Sequence, residues 1–169
     1  WMKIHNLKEA AKTLNYLTEH GITEYDVLAS RVETAAADFE TVSISIKQME
    51  HRMEQIAALK THIINYAKTR NTYLAYRKTK AADKPAFRAA HETDLLLHEA
   101  AKRAFDAQGV KKLPTVKVLQ AEYTDLLAKK KAAYEDFKRL RQENQELQAV
   151  KSNVDSLLQI KQEEKKEQE

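Results

Sequence analysis

The chain has 169 residues, of which 32% are charged, with two glycines, two prolines and no cysteine. Such a composition favours long helices over a sheet protein, and without cysteine no disulfide or thiolate metal site can form. No run of about 18 apolar residues occurs, so we expect no membrane span and a cytoplasmic location. The chain begins Trp1-Met2, from which we expect a fragment of a longer polypeptide.

The net charge of +4 is unevenly distributed along the chain. Residues 60–141 carry 19 Lys/Arg against 9 Asp/Glu, whereas the remainder carries 10 against 16. If the chain doubles back on itself, its positive half gathers at one end and forms a plausible anion-binding surface. A solvated helix face is the commoner explanation of a charge run, and it remains the alternative.

The first predicted helix runs from Leu7 to about His20 within a base segment of residues 1–22. Asn6 is placed to cap its start, and Gly21 suits the left-handed position just past its end. Its apolar residues recur at helical spacing, which predicts the face that packs on the rest of the protein. They are Leu7, Ala10, Ala11, Leu14 and Leu17.

Residues 23–80 predict one long helix, with Thr23 as its cap. Apolar residues repeat every 3.5 positions, which is typical of a coiled-coil seam. One series comprises Tyr25, Val32, Phe39, Ile46, Met53, Lys60, Ala67 and Leu74. The second comprises Leu28, Ala35, Val42, Met49, Ile56 and Ile63. Leu59, Tyr66 and Tyr73 widen the stripe near its end, which indicates a further partner helix.

Residues 81–114 predict a small helical tip, with one helix from Lys84 to near Gln108 that is apolar on more than one face. Thr115 then caps a return helix over residues 115–165, followed by a frayed tail at 166–169. The return helix repeats the seam pattern. Its two series are Tyr123, Lys130, Phe137, Asn144, Lys151, Leu158 and Leu119, Leu126, Ala133, Leu140, Leu147, Val154.

The widenings of these stripes predict an all-α fold. We expect a single elongated domain over 1–169, a long antiparallel coiled-coil hairpin with a small helical tip and the first helix packed at its base. That helix should lie against Val150 and Leu157. Leu127 and Tyr134, which widen the return helix near its start, should face the tip.

The clearest candidate for a binding site is the basic stretch around the tip. Lysines and arginines there alternate with tyrosines, and such residues neutralise phosphates and stack on unpaired bases. The candidate nucleic-acid-binding residues are Arg70, Tyr76, Arg77, Lys78, Lys80, Lys84, Lys111 and Lys112. For Tyr66 and Tyr73, packing inside the tip is the favoured alternative.

The sequence offers little for catalysis or metal binding. His91 and His98 lie seven residues apart, about 10 Å along a helix, which is too far to share one ion. We therefore expect packing or hydrogen bonding from them, and neither a metal nor another cofactor. No phosphate loop or nucleophile motif occurs, so we expect no enzymatic activity.

The tip string also resembles a known family. Its recurring residues are Tyr66, Lys68, Thr69, Arg70, Tyr73, Tyr76 and Arg77, then Phe87, His91, Glu92, Asp94, Leu97, His98, Ala100, Ala101, Lys102, Phe105, Asp106, Gly109, Lys112, Leu113, Pro114 and Thr115. This pattern resembles the C-terminal part of relaxases, the mobilisation nucleases of conjugative elements in Gram-positive bacteria. The opening WMKIHNLK resembles the segment after their nuclease domain.

The resemblance implies an accessory role in conjugation. Relaxases nick transfer DNA with an N-terminal tyrosine and a metal held by a His-hydrophobe-His motif, which this chain lacks. The implied partners are DNA of the origin-of-transfer region and transfer-machinery proteins, with no membrane. A protein-interaction or dimerisation coiled coil without DNA contact is the alternative, so the chain would be a monomer or a coiled-coil dimer.

Overall fold

The computed structural model describes residues 2–109 and 112–166, which form five α-helices and no strand. The all-α prediction is therefore confirmed. The helices are α1 (Met2–Glu19), α2 (Tyr25–Lys78), α3 (Lys84–Ala90), α4 (Glu92–Ala107) and α5 (Val116–Lys166). Contacts divide the chain into unit 1, residues 1–47 and 131–169, and unit 2, residues 48–130. Helices α2 and α5 contribute a segment to each unit.

Unit 1 is built from α1, the beginning of α2 and the end of α5. In this unit α2 and α5 run antiparallel, since Tyr25 donates a 2.6 Å hydrogen bond to Asp155, and Phe39 lies 5.1 Å from Phe137 between ring centroids. The side chains of its buried core are Ile22, Leu28, Ala35, Leu147 and Val150. Three of these residues, Leu28, Ala35 and Leu147, are predicted seam positions, whereas Ile22 precedes α2 and Val150 was expected to widen the stripe.

Gly21 ends α1 as predicted. Its φ of 61° is left-handed, and its N–H donates to the carbonyl of Thr18 at 3.2 Å. The N–H of Ile22 reaches the carbonyl of Leu17 at 2.8 Å, which completes a Schellman motif. Ile22 is buried and packs with Leu17, so the turn joins α1 to the core of unit 1.

The predicted start of α1 was wrong, and its predicted buried face was right at Leu17 but wrong at Leu7 and Leu14. The helix begins at Met2, before Asn6, and it leaves Leu7 75% and Leu14 64% exposed. Thr13 is buried instead, because Asn153 of α5 donates a 2.9 Å hydrogen bond to its hydroxyl. Hydrophobic period alone does not detect a polar residue whose partner is 140 positions away.

The ends of the other long helices differ from prediction in detail. The carbonyl of Glu24, not Thr23, accepts the first helical bond of α2, from the N–H of Leu28 at 3.2 Å. At the far end, α5 remains helical through Lys166, where fraying was expected, while residues 167–169 lie outside the described residues. Leu157, expected against α1, is 49% exposed.

Unit 2 joins the second part of α2 to α3, α4 and the beginning of α5. Here too α2 and α5 are antiparallel: Glu50 pairs with Lys130 at 2.8 Å, and Arg52 with Glu122 at 2.7 Å. Thr115 caps α5 as predicted, accepting a bond from the N–H of Val118 at 3.2 Å. The side chains of the buried core are Ile56, Leu59, Ala101, Phe105 and Leu119.

The single tip helix predicted from Lys84 to Gln108 is two helices. His91, with φ −129° and ψ 29°, ends α3 and immediately precedes α4. Gly109, with φ 61°, follows the end of α4 as predicted. The prediction that the helix is buried on several faces was wrong, because Leu96 and Leu97 of α4 are 48% and 38% exposed.

The seam repeat of α2 also changes beyond Lys60. Ala67 and Leu74, which continue the predicted series, are exposed, whereas Thr69 is buried at 3% exposure. The reason is that α4, rather than α5, packs on this part of α2. Helix α4 contacts the face of α2 that carries Tyr66, where the Phe105 ring lies 5.7 Å from the Tyr66 ring between centroids. Leu127 and Tyr134 of α5, expected to face the tip, are each 38% exposed.

Candidate nucleic-acid interface

Positive charge is concentrated in unit 2. Its residues 48–130 include 16 Lys/Arg and 9 Asp/Glu, for a net charge of +7, whereas unit 1 has 13 against 16, for −3. Within unit 2, residues 55–82 contain no acidic residue at all and six Lys/Arg. This acid-free segment forms the second half of α2 and the turn after it. This segment of unit 2 therefore supplies positive charge with no acid of its own, and the carboxylate of Asp94 on α4 accepts a 3.0 Å hydrogen bond from its Thr72.

Four of the eight predicted nucleic-acid-binding residues lie on this segment and are exposed. They are Arg70, Arg77 and Lys78 on α2, and Lys80 in the turn after it. Lys84 is half-buried at the start of α3, and Lys112 is exposed between α4 and α5. Lys111 lies outside the described residues. Half of the candidates therefore lie close together in sequence, on the last part of α2 and the turn after it.

Tyr76 is less available than predicted. Its side chain is half-buried at the junction of α2 and α3, with its ring centroid 6.2 Å from that of Phe87. Lys84 Nζ lies 5.5 Å and Arg88 Cζ 5.9 Å from the Tyr76 ring centroid, within cation–π range. The ring therefore holds two cations of α3 beside α2, which is a positioning role rather than an open stacking platform.

Arg88 belongs to this cluster although the sequence analysis did not select it. The hydrogen bond to Tyr76 and the nearby Glu99 carboxylate raise its pKa. The guanidinium lies 3.3 Å from Glu99, so this cation is partly neutralised. The sequence did contain a signal for Arg88: it lies four residues after Lys84, and residues at this spacing share a helix face.

Tyr66 and Tyr73 pack inside unit 2, which is the role that the sequence analysis favoured for them over base stacking. They stack on His98, with centroid distances of 4.4 and 4.2 Å. Lys102 Nζ lies 5.4 Å from the Tyr73 ring centroid. Both tyrosine rings are therefore committed to the contact between α2 and α4.

His98 is the buried polar centre of unit 2. Its Nδ1 lies 3.0 Å from the Thr69 hydroxyl, whose single proton is already donated to the carbonyl of Asn65 at 2.7 Å. His98 is therefore the donor to Thr69 and carries its proton on Nδ1. Burial and the positive charge of Lys102 lower the pKa of His98. His98 therefore packs and donates a hydrogen bond, which are the roles expected from the sequence.

Other features of the described residues offer no convergent chemistry. Within residues 2–109 and 112–166, no group of three His, Asp or Glu side chains is arranged to hold a metal ion. A cleft of about 490 Å³ in unit 2 is lined by Arg52, Leu59, Gln108 and Pro114. Its two charged side chains, Arg52 and Glu122, form an ion pair with each other. In the same part of the chain, no helix combines the length and apolar character needed to cross a bilayer.

Comparison with known proteins identified no relative: no family model, no curated protein and no solved structure matches the chain. The resemblance to relaxases therefore stays a prediction.

Proposed function

We propose that this chain is a non-catalytic helical region of a conjugative relaxase, and that the positive end of α2 in unit 2 contacts DNA. The observation that carries the proposal is the acid-free segment 55–82, whose cations Arg70, Arg77, Lys78 and Lys80 are exposed. Lysine and arginine side chains bind phosphates by displacing condensed counterions. A surface with a net charge of one sign also steers DNA toward itself.

Two further features support phosphate binding. Helix α2 is anchored on its other side by the Tyr66–His98–Tyr73 stack, so its exposed cations project from a packed element. Tyr76 holds Lys84 and Arg88 beside the end of α2, which extends the positive surface onto α3. A preorganised set of cations loses less conformational entropy on binding than cations on a flexible loop.

The test is binding of the full chain to fluorescent origin-region DNA at low salt, measured by anisotropy. The variant Arg77→Gln/Lys78→Gln/Lys80→Gln should bind about tenfold or more weakly, since three phosphate contacts are lost. The matched control, Lys138→Gln/Arg139→Gln/Arg141→Gln, removes three exposed cations of α5 in unit 1 and should bind nearly as well as the wild type. No affinity for single- or double-stranded DNA would refute the proposal.

A protein-interaction or dimerisation role is the second candidate. The observation that favours it is the exposed apolar face of α1 in unit 1, where Leu7 and Leu14 lie one above the other without cover. Light scattering of the chain with and without DNA separates the two functions. A stable dimer indifferent to DNA would favour the second candidate, and a monomer that binds DNA the first.

A further inference from the structure

The exposed face at the end of α2 has a definite pattern. With about 100° of rotation per residue, Arg70 and Arg77 fall in one row, about 20° apart and about 10.5 Å apart along the axis. Lys68 lies about 160° around the helix from Arg70, on the opposite flank. All three side chains are exposed. The face is therefore bordered by cations on both sides.

Between these flanks the one charged side chain is Lys78, which is exposed and can contact a base edge such as that of guanine as well as a phosphate. Ile64 and Leu74 are 39% and 41% exposed, and Ala67 and Asn71 between them are exposed as well. These four residues are aliphatic or carry an amide, and an amide can hydrogen-bond the edge of a base, most specifically adenine. Aliphatic groups can contact the methyl group of thymine. The centre of the face thus offers groups that can contact base edges in a groove.

The aromatic side chains of unit 2 argue against the stacking mode of single-strand binding. Proteins that grip unpaired bases present exposed rings on which the bases stack. Within 48–109 and 112–130, each Phe and Tyr side chain is buried or half-buried, and the rings nearest the cations already contact protein. These are Tyr66, Tyr73 and Tyr76.

We infer that residues 64–78 of α2 lie in the major groove of double-stranded nucleic acid, with Arg70 and Arg77 on one phosphate strand and Lys68 on the other. A helix with its side chains is about 10–12 Å wide, and the major groove of B-form DNA is about 12 Å wide. Cations on opposite flanks of one helix are therefore spaced to reach the strands on both sides of the groove. This inference rests on the proposed function and specifies its ligand as a duplex.

Self-association through this face is disfavoured by its charge. A second copy would place Lys68, Arg70 and Arg77 against the same cations, with no acid between residues 55 and 82 to offset them. Like charges facing each other in an interface oppose association. A duplex supplies negative charge on both flanks of the helix, so charge complementarity selects it over another copy of the chain.

The experiment compares the full chain on a 20-base-pair DNA duplex and on each of its single strands, by anisotropy at several salt concentrations. The inference expects tighter binding to the duplex, and competition by the major-groove ligand methyl green but not by the minor-groove ligand netropsin. Tighter binding to the single strands, or competition by netropsin alone, would overturn the inference while the proposed function stands. No binding to any of these DNAs would overturn both.

Matched variants test the position of the duplex on the protein. Lys68→Gln/Arg70→Gln/Arg77→Gln should weaken duplex binding about tenfold or more. The control Arg103→Gln/Lys117→Gln/Lys129→Gln removes the same charge from exposed positions of unit 2 on other helices, and it should retain most of the affinity. Equal losses in the two variants would overturn the assigned face, leaving only diffuse attraction.

The centre of the face provides a second, independent test. Ala67→Glu adds one acid between the flanking cations at an exposed helical position, so the fold should be retained, which circular dichroism verifies. Duplex binding should fall at least as far as with a single flank substitution. The control Ala132→Glu places an acid at an exposed position of α5 in unit 1. Identical affinities for the two variants would contradict the proposed contact.

Discussion

Unit 1 and unit 2 both pair α2 with α5 in antiparallel fashion and add shorter helices, but they differ in what they bury. Unit 1 buries Thr13, satisfied by Asn153, beside an aliphatic core. Unit 2 buries His98 between two tyrosine rings and Thr69 beneath it. Because His98 is ionisable and lies at the packing interface, we predict that the stability of unit 2 decreases in mild acid. Similar helix pairing thus supports different physical properties.

The surfaces of the two units differ as strongly as their interiors. Unit 1 carries −3 and unit 2 carries +7. In unit 1 the cations Lys138 and Arg139 pair with acids three residues away, Glu135 and Asp136. In the segment 55–82, Lys80 has Asp83 at such a spacing, whereas Arg70, Arg77 and Lys78 have no acid three or four residues away. Net charge and local pairing together therefore separate a solvated surface from a candidate binding surface.

The largest expected effect tests whether each unit depends on its own core. Ile56→Ala in unit 2 and Leu28→Ala in unit 1 remove fully buried side chains, with 0% and 1% exposure. Each should lower the free energy of unfolding by about 2–5 kcal/mol, because a cavity remains. Urea unfolding followed by circular dichroism measures the loss. Ile44→Ala, at a 46% exposed position, is the control and should cost far less.

The next effect concerns the two glycine stops, one in each unit. Gly21 and Gly109 both have φ 61°, and a Cβ added at either would meet no atom within 4 Å. Gly21→Ala and Gly109→Ala should therefore each cost about 1 kcal/mol through backbone strain alone. Thermal unfolding of both variants measures this. A much larger loss for one of them would show that its turn has contacts beyond the conformational requirement.

The pH dependence of stability should distinguish the units. Because burial lowers the pKa of His98, the unfolded chain binds its proton more readily than the folded chain. This contribution to stability is fully present above the ordinary histidine pKa of about 6.5 and declines as the pH falls below it. The charged groups around the ring are Lys102, which lowers the pKa further, and Glu99, which raises it.

Amide hydrogen exchange between pH 5 and 8, corrected for the intrinsic rate, measures this effect by unit. Protection of α4 should fall in acid in the wild type and less so in His98→Phe, which keeps the stacking but cannot be protonated. His51→Phe, at an exposed position, is the control and should behave as the wild type. An unchanged acid dependence in His98→Phe would show that another group is responsible.

In unit 1, Asp155 should make stability depend on pH in a more acidic range. Hydrogen bonds from Lys151, at 2.8 Å, and from Tyr25 lower the pKa of Asp155. A carboxylate with a lowered pKa stabilises the folded state above its unfolded value of about 3.9, and this contribution is lost as the pH falls through the folded pKa. Asp155→Asn should therefore flatten the unfolding profile of unit 1 below about pH 4, whereas a flattening near pH 6 would contradict this assignment.

The smallest expected effect concerns the exposed ion pair of unit 2. Arg52 contacts both carboxylate oxygens of Glu122, at 2.7 and 3.1 Å, and each side chain remains more than one-third exposed. A double-mutant cycle with Arg52→Gln and Glu122→Gln should give a coupling of about 0.2–1 kcal/mol. A coupling of several kcal/mol would contradict this expectation and would mean that the pair fixes the register of α2 against α5.

The long helices were predictable because their signal is repeated many times. Leu28, Ile56, Leu119 and Leu147 sit in the 3.5-residue series and are all buried, and Gly21 and Gly109 ended the helices that they were expected to end. Each further repeat of the pattern reduces the chance of a wrong assignment. All-α architecture and the seam therefore followed from apolar spacing alone.

What was not predictable depends on single contacts between distant residues. Thr13 and Thr69 are buried because Asn153 and His98 satisfy them, and no spacing in the sequence reports such pairs. The break at His91 likewise has neither glycine nor proline to mark it. For the candidate interface, the sequence supplied the cations, but the burial of Tyr76 and the participation of Arg88 required the structure.

The measurement that tests the central claim most directly is the salt dependence of duplex binding for the wild type, the flank variant Lys68→Gln/Arg70→Gln/Arg77→Gln and the unit 1 variant Lys138→Gln/Arg139→Gln/Arg141→Gln. Each phosphate contact contributes about 0.9 to the slope of log affinity against log salt. We predict that the slope falls by about 2.7 in the flank variant and stays at the wild-type value in the unit 1 variant. Equal slopes for all three proteins would contradict the assignment of the DNA-contacting surface to α2.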